Sequence, residues 1–238
     1  MSDSGSVVAA MRRVRSFVLR QGRMTDGQRR MLEKHWLHFG IERQDDVLDL
    51  GKLFGRSAPQ IVEIGFGMGR TLAQMARDNA EQDYLGIEVH QPGVASLLRN
   101  LDEEAINNVR VIRDDAVEVL EQNIAAHSLA AVHLYFPDPW PKRRHHKRRI
   151  VQPAFIDLVV SRLQAGGVFH MATDWEDYAH HAMAMLSACP ELINCAGERQ
   201  FSPRPDYRPL TKFEQRGQRL GHGVWDLIFE RCTDVIDG

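Results

Sequence analysis

Several features of secreted, membrane and metal-binding proteins are missing from this sequence. It has no run of about 18 apolar residues, so we expect no membrane-spanning helix. Its N-terminal segment lacks an uninterrupted apolar stretch, so no secretory signal is expected. The three cysteines, Cys189, Cys195 and Cys232, have no paired spacing that would indicate a disulfide framework or a zinc site. These absences predict a protein of a reduced, cytoplasmic compartment.

Net charge is also small, −2 at pH 7, but the cations are unevenly distributed. Residues 1–30 carry seven arginines against two aspartates, and residues 142–149 carry six formal positive charges in eight positions. Surface charges farther apart than about 8–10 Å are largely screened at physiological salt. A polyanion therefore responds to these two clusters and not to the net charge, which keeps a nucleic-acid partner open.

The apolar pattern predicts an α/β fold with a mostly parallel sheet. From Pro59 onward, short apolar runs alternate with amphipathic segments, as in repeated β–α units. The predicted strands lie near 60–64, 83–88, 109–113, 131–136 and 167–173, and the helices between them near 69–79, 92–105, 115–125, 152–164 and 175–187. Methionines at helical spacings, at 68, 75 and 183–185, are predicted to be core.

The expected organisation has two parts. Residues 1–50 are predicted to form an N-terminal basic arm and helix, and residues 51–238 the main domain. Within that domain, residues 190–238 contain several large apolar residues without a helical period. We expect them to supply an antiparallel pair of strands at the sheet edge.

A glycine-rich turn follows the first predicted strand, with Gly65, Gly67 and Gly69 leading into a helix. Glycines let the backbone turn sharply and let a ligand approach the N–H groups of the helix. A tight turn that binds nothing has the same pattern, and so does a dinucleotide site. Arg70 stands where a dinucleotide fingerprint has its third glycine. The spacing therefore favours a nucleoside without a pyrophosphate over NAD.

Acidic residues lie at or near the carboxyl ends of successive predicted strands: Glu63, Glu88, Asp115, Asp138 and Asp174. Ligands of open α/β sheets bind at this edge, where the strand order reverses. Glu88 is placed to accept hydrogen bonds from ribose hydroxyls, Asp115 from an adenine amine, and Glu63 to meet a ligand ammonium group. Each acid alone is a common solvated residue at a strand end, but together they predict a nucleoside site.

Three prolines, Pro137, Pro139 and Pro141, flank Asp138 and Trp140. Proline fixes φ and has no N–H to donate, so this segment continues neither a strand nor a helix. We expect a stiff loop at the ligand-binding edge. A rigid carboxylate beside a large ring suits a flat heterocycle with N–H donors, such as guanine. A proline-rich loop with a solvated Asp and a packing Trp is the alternative.

The loop is followed directly by the basic run of residues 142–149. A charge run is usually a solvated face, but here it adjoins the predicted active edge, where cations can hold a phosphate backbone. The residues expected to contact RNA are Lys142, Arg144, His145, His146, Lys147, Arg148 and Arg149. Adjacent histidines among cations, with no Asp or Cys close in sequence, are poor metal ligands, so we expect no metal.

Taken together, these motifs resemble the tRNA (guanine-N7-)-methyltransferase family of the TrmB type. The matching segments are Glu63–Gly69, Gly86–Glu88, Phe136–Lys142, Ala172–Asp174 and Thr211–Glu214. Arg15–Val18 also resembles the N-terminal arm of the family. The resemblance spans about residues 12 to 231, and its Pro-Asp-Pro-Trp-Pro-Lys element is highly specific.

The resemblance implies a Rossmann-like fold of the class I S-adenosylmethionine-dependent methyltransferases. It implies that Glu63, Glu88, Asp115 and Asp138 contact S-adenosylmethionine, beside the glycines, and that Asp138 is also the active-site residue. The residues implied to bind the RNA substrate are Lys142, Asp174, Thr211, Lys212, Phe213 and Glu214, with the basic run. The family modifies a guanosine in the variable loop of tRNA. We expect a monomer, with a homodimer as the alternative.

The expected chemistry requires no strong general base. Guanine N7 has an in-plane lone pair and attacks a sulfonium methyl group without prior deprotonation, which agrees with carboxylates and no Ser–His or Cys–His pair. A NAD-dependent oxidoreductase would explain the glycines and Glu88, but not Asp115, the proline loop or the basic run. An RNA-binding protein without catalysis is the second alternative, because a fold alone does not determine a function.

Overall fold

A computed structural model describes residues 24–211, 214 and 223–232. The predicted arm segment Arg15–Val18 lies outside the described residues, and so do Lys212 and Phe213. In the described part of the chain, no helix is both long and apolar enough to cross a membrane.

Helices and strands alternate along most of the described chain. In order they are α1 (Asp26–Phe39), β1 (Gly40–Ile41), α2 (Leu50–Phe54), β2 (Gln60–Ile64), α3 (Arg70–Asp78), β3 (Asp83–Ile87), α4 (Gln91–Glu103), β4 (Val109–Ile112), α5 (Ala116–Asn123), β5 (Leu129–Tyr135), a 3₁₀ helix (Arg143–Arg148), α6 (Pro153–Arg162), β6 (Leu163–Thr173), α7 (Glu176–Ser187), β7 (Leu192–Asn194) and β8 (Trp225–Arg231). The five predicted strands and five predicted helices are all present. The largest shift is in β6, which begins at Leu163 and not near residue 167.

The strands form one sheet in the order β1-β4-β3-β2-β5-β6-β8-β7. All neighbouring pairs are parallel up to β6, whereas β8 is antiparallel to both β6 and β7. The α/β class and the antiparallel C-terminal edge are therefore confirmed.

Segments before residue 50 take part in this architecture. Thr25 begins α1 with a capping box, in which its side chain and that of Gln28 each accept from the other's backbone N–H. Helix α1 packs against α4, and β1 pairs with β4 at the edge of the sheet. The division into an arm and a domain at residue 50 stays a prediction.

Both faces of the sheet are covered by helices, and successive strand residues face opposite layers. Val62, Ile64 and Leu134 belong to a core cluster with α5, α6 and α7. Ile61 and Tyr84 belong to a second cluster with α1, α3 and α4. Because both faces are buried, the strands read in the sequence as near-continuous apolar runs.

The core prediction for the methionines is only partly right. Met75 and Met183 are buried, but Met68 is 48% exposed. The prediction for Met68 is wrong because the residue precedes α3 and lies in the glycine-rich turn, where helical spacing has no meaning.

The position of β2 in the sheet determines where a ligand can bind. After β2 the chain adds β3 and then β4 on one side, and β5 then returns to the other side of β2. The connections leaving β2 and β5 therefore diverge to opposite faces of the sheet. Such a reversal opens a crevice at the carboxyl ends of the two strands.

Candidate active site

A cleft occupies this crevice at the carboxyl ends of β2, β3 and β5. Four of the predicted site residues line it, namely Gly65, Glu88, Asp115 and Asp138. Apolar residues lie between them in the wall of the cleft: Ile64, Ile87, Ala116, Leu134, Phe136 and Ile150. Residues from four separate connections thus meet at one place, although their roles toward a ligand stay predictions.

The three glycines of the glycine-rich turn have two different roles, access for a ligand and close helix packing. Gly65 and Gly67 have φ of 70° and 56°, and a Cβ at either position would meet no described atom within 4 Å. A ligand can therefore approach the backbone closely at these two residues. Gly69, the N-cap of α3, also has a positive φ, but a Cβ there would overlap the side chain of Leu97. The third glycine thus serves the packing of α3 against α4.

The Glu88 carboxylate is held in place by three backbone N–H groups. Its Oε2 accepts from Gly67 at 2.8 Å, and its Oε1 accepts from Val89 at 2.8 Å and His90 at 2.9 Å. A carboxylate has about four acceptor sites, so these bonds fix its direction and leave capacity for a further donor. The bond to Gly67 also joins the end of β3 to the glycine-rich turn.

The next acidic pair borders the cleft at the start of α5. Asp115 is the N-cap of α5, and its Oδ1 accepts from the Val117 N–H at 3.0 Å. Asp114 accepts from Arg43 Nη1 at 3.0 Å, and the same guanidinium nitrogen bonds Glu118 at 2.6 Å. Sequence reasoning did not single out Arg43. No local pattern could have found it, because its partner is 71 positions away.

Glu63 is the penultimate residue of β2 and does not line the cleft. It pairs across the sheet with Gly86 and His133, is 2% exposed, and its Oε2 has no hydrogen-bond partner among the described residues. Burial, which disfavours the charged form, and the nearby charge of Glu88 raise the pKa of Glu63 to about 8. An unsatisfied acceptor two residues before Gly65 is compatible with the predicted ammonium partner, and the contact stays a prediction.

The raised pKa of Glu63 has a measurable consequence for stability. Above pH 4.5 the unfolded chain releases this proton, whereas the folded protein keeps it up to about pH 8. The free energy of unfolding should therefore fall as pH rises through this window, by up to about 1.4 kcal/mol per pH unit from this group. In Glu63→Gln that contribution is absent. Urea unfolding at several pH values should give a difference between variant and wild type that grows from pH 4.5 to 8. Parallel pH profiles of the unfolding free energy in Glu63→Gln and wild type would contradict the raised pKa of Glu63.

Backbone strain is concentrated around Asp138. Phe136 and Trp140 have φ of 51° and 46°, a region that bulky residues rarely adopt. Each such residue costs roughly 1–3 kcal/mol and persists only where its surroundings hold it. Phe136 is held by its N–H, which donates to the Ala172 carbonyl of β6 at 2.8 Å. The loop presents Asp138 as an exposed side chain at the cleft, as the prolines predicted.

Arg149 differs from the rest of the basic run because it is buried, at 2% exposure. Its Nε donates to the Pro139 carbonyl at 2.9 Å, and its Nη2 bonds the Asp177 carboxylate of α7. The guanidinium also lies 4.9 Å from the centre of the Tyr178 ring. In this position the arginine anchors the proline loop to α7 and is not available to a phosphate at the surface.

The other basic residues of the run form the 3₁₀ helix that follows the loop, with Lys142 directly before it. Lys142, Arg144 and Lys147 are exposed, while His145 and His146 are half-buried. The Arg148 guanidinium lies over the Trp140 ring at 4.4 Å from its centre, a cation–π contact that orients both side chains. An exposed cationic strip thus lies immediately beside the proline loop.

Three further predicted substrate residues that the structure describes, Asp174, Thr211 and Glu214, lie outside the cleft lining. Asp174 is half-buried at the end of β6. Thr211 and Glu214 bond each other: the Thr211 N–H donates to Glu214 Oε2 at 2.9 Å, and the Glu214 N–H donates to Thr211 Oγ1 at 3.1 Å. Glu214 is buried against Arg208. Among the described side chains, no group of three or more His, Cys, Asp or Glu is arranged to hold a metal ion.

Comparison with known proteins agrees with this geometry. Residues 57–227 match the family model described as "Putative methyltransferase". The tRNA (guanine-N(7)-)-methyltransferase of Alcanivorax borkumensis is 57% identical over 221 residues, which cover 93% of this chain and 92% of that protein. The enzyme of the same name from Escherichia coli strain K12 is 58% identical over 221 residues, again 93% of this chain and 92% of that protein.

Among solved structures, an rRNA methylase from Streptococcus thermophilus superposes with a TM-score of 0.51 at 12% identity, covering 74% of this chain and 88% of that one. A likeness at this identity concerns the fold alone, and it confirms the Rossmann-like class I methyltransferase fold. The sequence identity of 57–58% to the two tRNA (guanine-N(7)-)-methyltransferases extends over nearly the full length of both chains. The chain belongs to the tRNA (guanine-N(7)-)-methyltransferase family.

Proposed function

We propose that this protein transfers the methyl group of S-adenosylmethionine to N7 of a guanosine in the variable loop of tRNA. The observation that carries the proposal is the single cleft at the sheet reversal, which Gly65, Glu88, Asp115 and Asp138 share beside an exposed cationic strip. The predicted cytoplasmic setting and the monomer belong to the same proposal. Light scattering in solution tests the monomer.

The described residues fit S-adenosylmethionine. Open backbone at Gly65 and Gly67 would admit the amino-acid part, Glu88 would accept from the ribose hydroxyls, and Asp115 from the adenine amine. Apolar side chains between the acids, such as Ile87 and Leu134, would pack on the adenine ring. When bound, this cofactor supplies an electrophilic methyl group on a positively charged sulfur.

The contribution of Asp138 is orientation and charge. Its carboxylate, held at the cleft by the proline loop, would accept hydrogen bonds from the N–H groups of guanine and direct N7 toward the methyl group. Such positioning can supply several kcal/mol, and up to about 7–11 kcal/mol, of the barrier. As positive charge develops on the base, a fixed carboxylate stabilises it. No proton needs to leave N7.

The cationic strip would hold the phosphate backbone while the base enters the cleft. We expect a triple variant, with Lys142, Arg144 and Lys147 all replaced by Gln, to bind tRNA more weakly. Its tRNA binding should also depend less on salt. Removing one phosphate contact lowers the magnitude of the slope of log K against log salt by about 0.7–0.9, so the slope of the triple variant should be smaller by about 2–3. Filter binding from roughly 50 to 300 mM salt measures this slope. Lys52→Gln, an exposed cation of α2, is the matched control. An unchanged slope in the triple variant would remove the strip from the RNA interface.

The proposal is tested by incubating the protein with bulk tRNA and S-adenosylmethionine that carries a labelled methyl group. Chemical cleavage at N7-methylguanosine then maps the position. Label at a variable-loop guanosine is the expected result. Binding of tRNA without transfer would favour the non-catalytic RNA-binding alternative. Titration with NADH and S-adenosylhomocysteine separates the oxidoreductase, which alone should bind NADH.

A further inference from the structure

A buried triad of charges connects the C-terminal part of the chain to the cleft. Arg208 is 1% exposed, and its Nε and Nη2 donate to the two Asp226 oxygens at 2.7 and 2.9 Å. Its Nη1 lies 2.7 Å from Glu214 Oε1. Both carboxylates are buried as well. Apolar side chains of similar size often give equal or greater stability than a buried ionic cluster. Stability alone therefore does not account for these three charges.

On one side, the triad contacts the wall of the cleft. The Arg208 guanidinium lies 5.9 Å from the centre of the Tyr135 ring and 5.7 Å from that of Phe136, within the range of a cation–π contact. Both aromatic residues line the cleft, and Phe136 begins the strained proline loop. Asp226 also accepts from His170 at 2.7 Å, whose other ring nitrogen lies 3.1 Å from the Tyr135 hydroxyl. The triad thus contacts the cleft wall directly through Arg208 and indirectly through His170.

On the other side, the triad holds Thr211 and Glu214, two of the residues implied to bind the substrate. Glu214 pairs with Arg208 through Oε1, and its Oε2 accepts from the Thr211 N–H. The Glu214 N–H returns a bond to Thr211 Oγ1. The Glu214 carboxylate therefore joins the Thr211 backbone to the arginine, and the arginine contacts Tyr135 and Phe136.

We propose that Arg208 is a positioning residue, which through Glu214 fixes Thr211 and Glu214 relative to the cleft wall of Tyr135 and Phe136. The inference rests on the proposed function for its effect on the reaction, but its structural part does not. In a reaction that depends on alignment, a displacement of about 1 Å lowers the rate on the order of a hundredfold. Loss of Arg208 should therefore reduce kcat far more than cofactor binding.

The test is a double-mutant cycle of Arg208→Gln and Glu214→Gln. We expect each single variant to lower kcat for tRNA methylation about a hundredfold, and the double variant to be no worse than Arg208→Gln, because Arg208→Gln already removes the coupling that Glu214→Gln removes. The Kd for S-adenosylhomocysteine should stay within about threefold of wild type. Losses that multiply, or a loss confined to S-adenosylhomocysteine binding, would overturn the proposal. Arg208→Lys keeps the positive charge but not the two parallel hydrogen bonds to Asp226. Its kcat should lie between those of wild type and Arg208→Gln, and it replaces Arg208→Gln if that variant does not fold.

Hydrogen exchange supplies a readout that does not depend on activity. In Arg208→Gln or Arg208→Lys, the amides of Thr211 and Glu214 should exchange at least about tenfold faster, because the arginine no longer anchors them. The control is Arg56→Gln, which removes the ion-pair partner of the buried Asp83 at the amino end of β3, away from the cleft. The change in exchange that Arg56→Gln causes at the same two amides measures the general effect of leaving a buried carboxylate without its arginine, and it is subtracted from the change in the Arg208 variants. The kcat of Arg56→Gln should equal that of wild type. Unchanged exchange at both amides would refute the positioning role. Wild-type protein that methylates no tRNA would refute the proposed function alone.

Discussion

Replacing Asp138 by alanine is expected to lower the turnover of tRNA methylation by at least about a hundredfold, while cofactor binding is partly retained. The carboxylate lies at the cleft on a loop held by Phe136 and Arg149, so its removal leaves the loop's anchors in place. The variant lacks the acceptor that orients the base and stabilises its developing positive charge. Single-turnover rates with saturating tRNA, beside titration with S-adenosylhomocysteine, separate the two effects.

Two further variants sharpen this result. Asp138→Asn keeps the size but not the charge or the second acceptor, and we expect an intermediate rate. Glu81→Ala removes an exposed carboxylate at the amino edge of the sheet and should leave the rate unchanged. Full activity in Asp138→Ala would show that the carboxylate does not act in the reaction.

A large loss of cofactor affinity is expected from Gly93→Ala, a residue that sequence reasoning did not single out. Gly93 lies in the first turn of α4, and a Cβ there would overlap the carbonyl oxygen of Gly67. Backbone cannot rotate away as a side chain does, so the glycine-rich turn must shift. That shift moves the Gly67 N–H, which donates to Glu88, and the affinity for S-adenosylhomocysteine should fall at least about tenfold.

The matched control is another helical glycine with free space around it. At Gly27 in α1, the nearest atom to an added Cβ is Thr25 Oγ1 at 3.9 Å. Gly27→Ala should leave cofactor affinity unchanged and raise stability by up to about 1 kcal/mol, from helix propensity. Calorimetric titration of both variants makes the comparison. Wild-type affinity in Gly93→Ala would mean that the turn tolerates the shift and does not shape the cofactor site.

Much of the fold and of the cleft could be predicted from local sequence. The strands are buried on both faces and therefore appear as apolar runs, and glycines or prolines mark the points at which they end. Because parallel strands present their carboxyl ends at one edge, Glu88, Asp115 and Asp138 were expected to share a cleft, and they do. The order of the strands in the sheet was not predicted, because it depends on pairing between residues far apart in the sequence.

What could not be predicted depends on contacts between distant residues. Eight consecutive basic and histidine residues look alike in sequence, yet Arg149 alone is buried, because Asp177 and Tyr178 of α7 receive it. Glu63 and Glu88 likewise read as equivalent acids at strand ends. Only the structure shows that one is buried within the sheet and the other is fixed by three N–H groups at the cleft.

In the proposed function, one cleft at the sheet reversal binds the nucleoside and presents its methyl group to Asp138. A crystal structure with S-adenosylhomocysteine tests this most directly. We expect ribose hydroxyls bonded to Glu88, the adenine amine to Asp115, and the sulfur on the side of the cleft that Asp138 borders. A nucleoside bound elsewhere, or one that leaves Glu88 and Asp115 without contact, would contradict it.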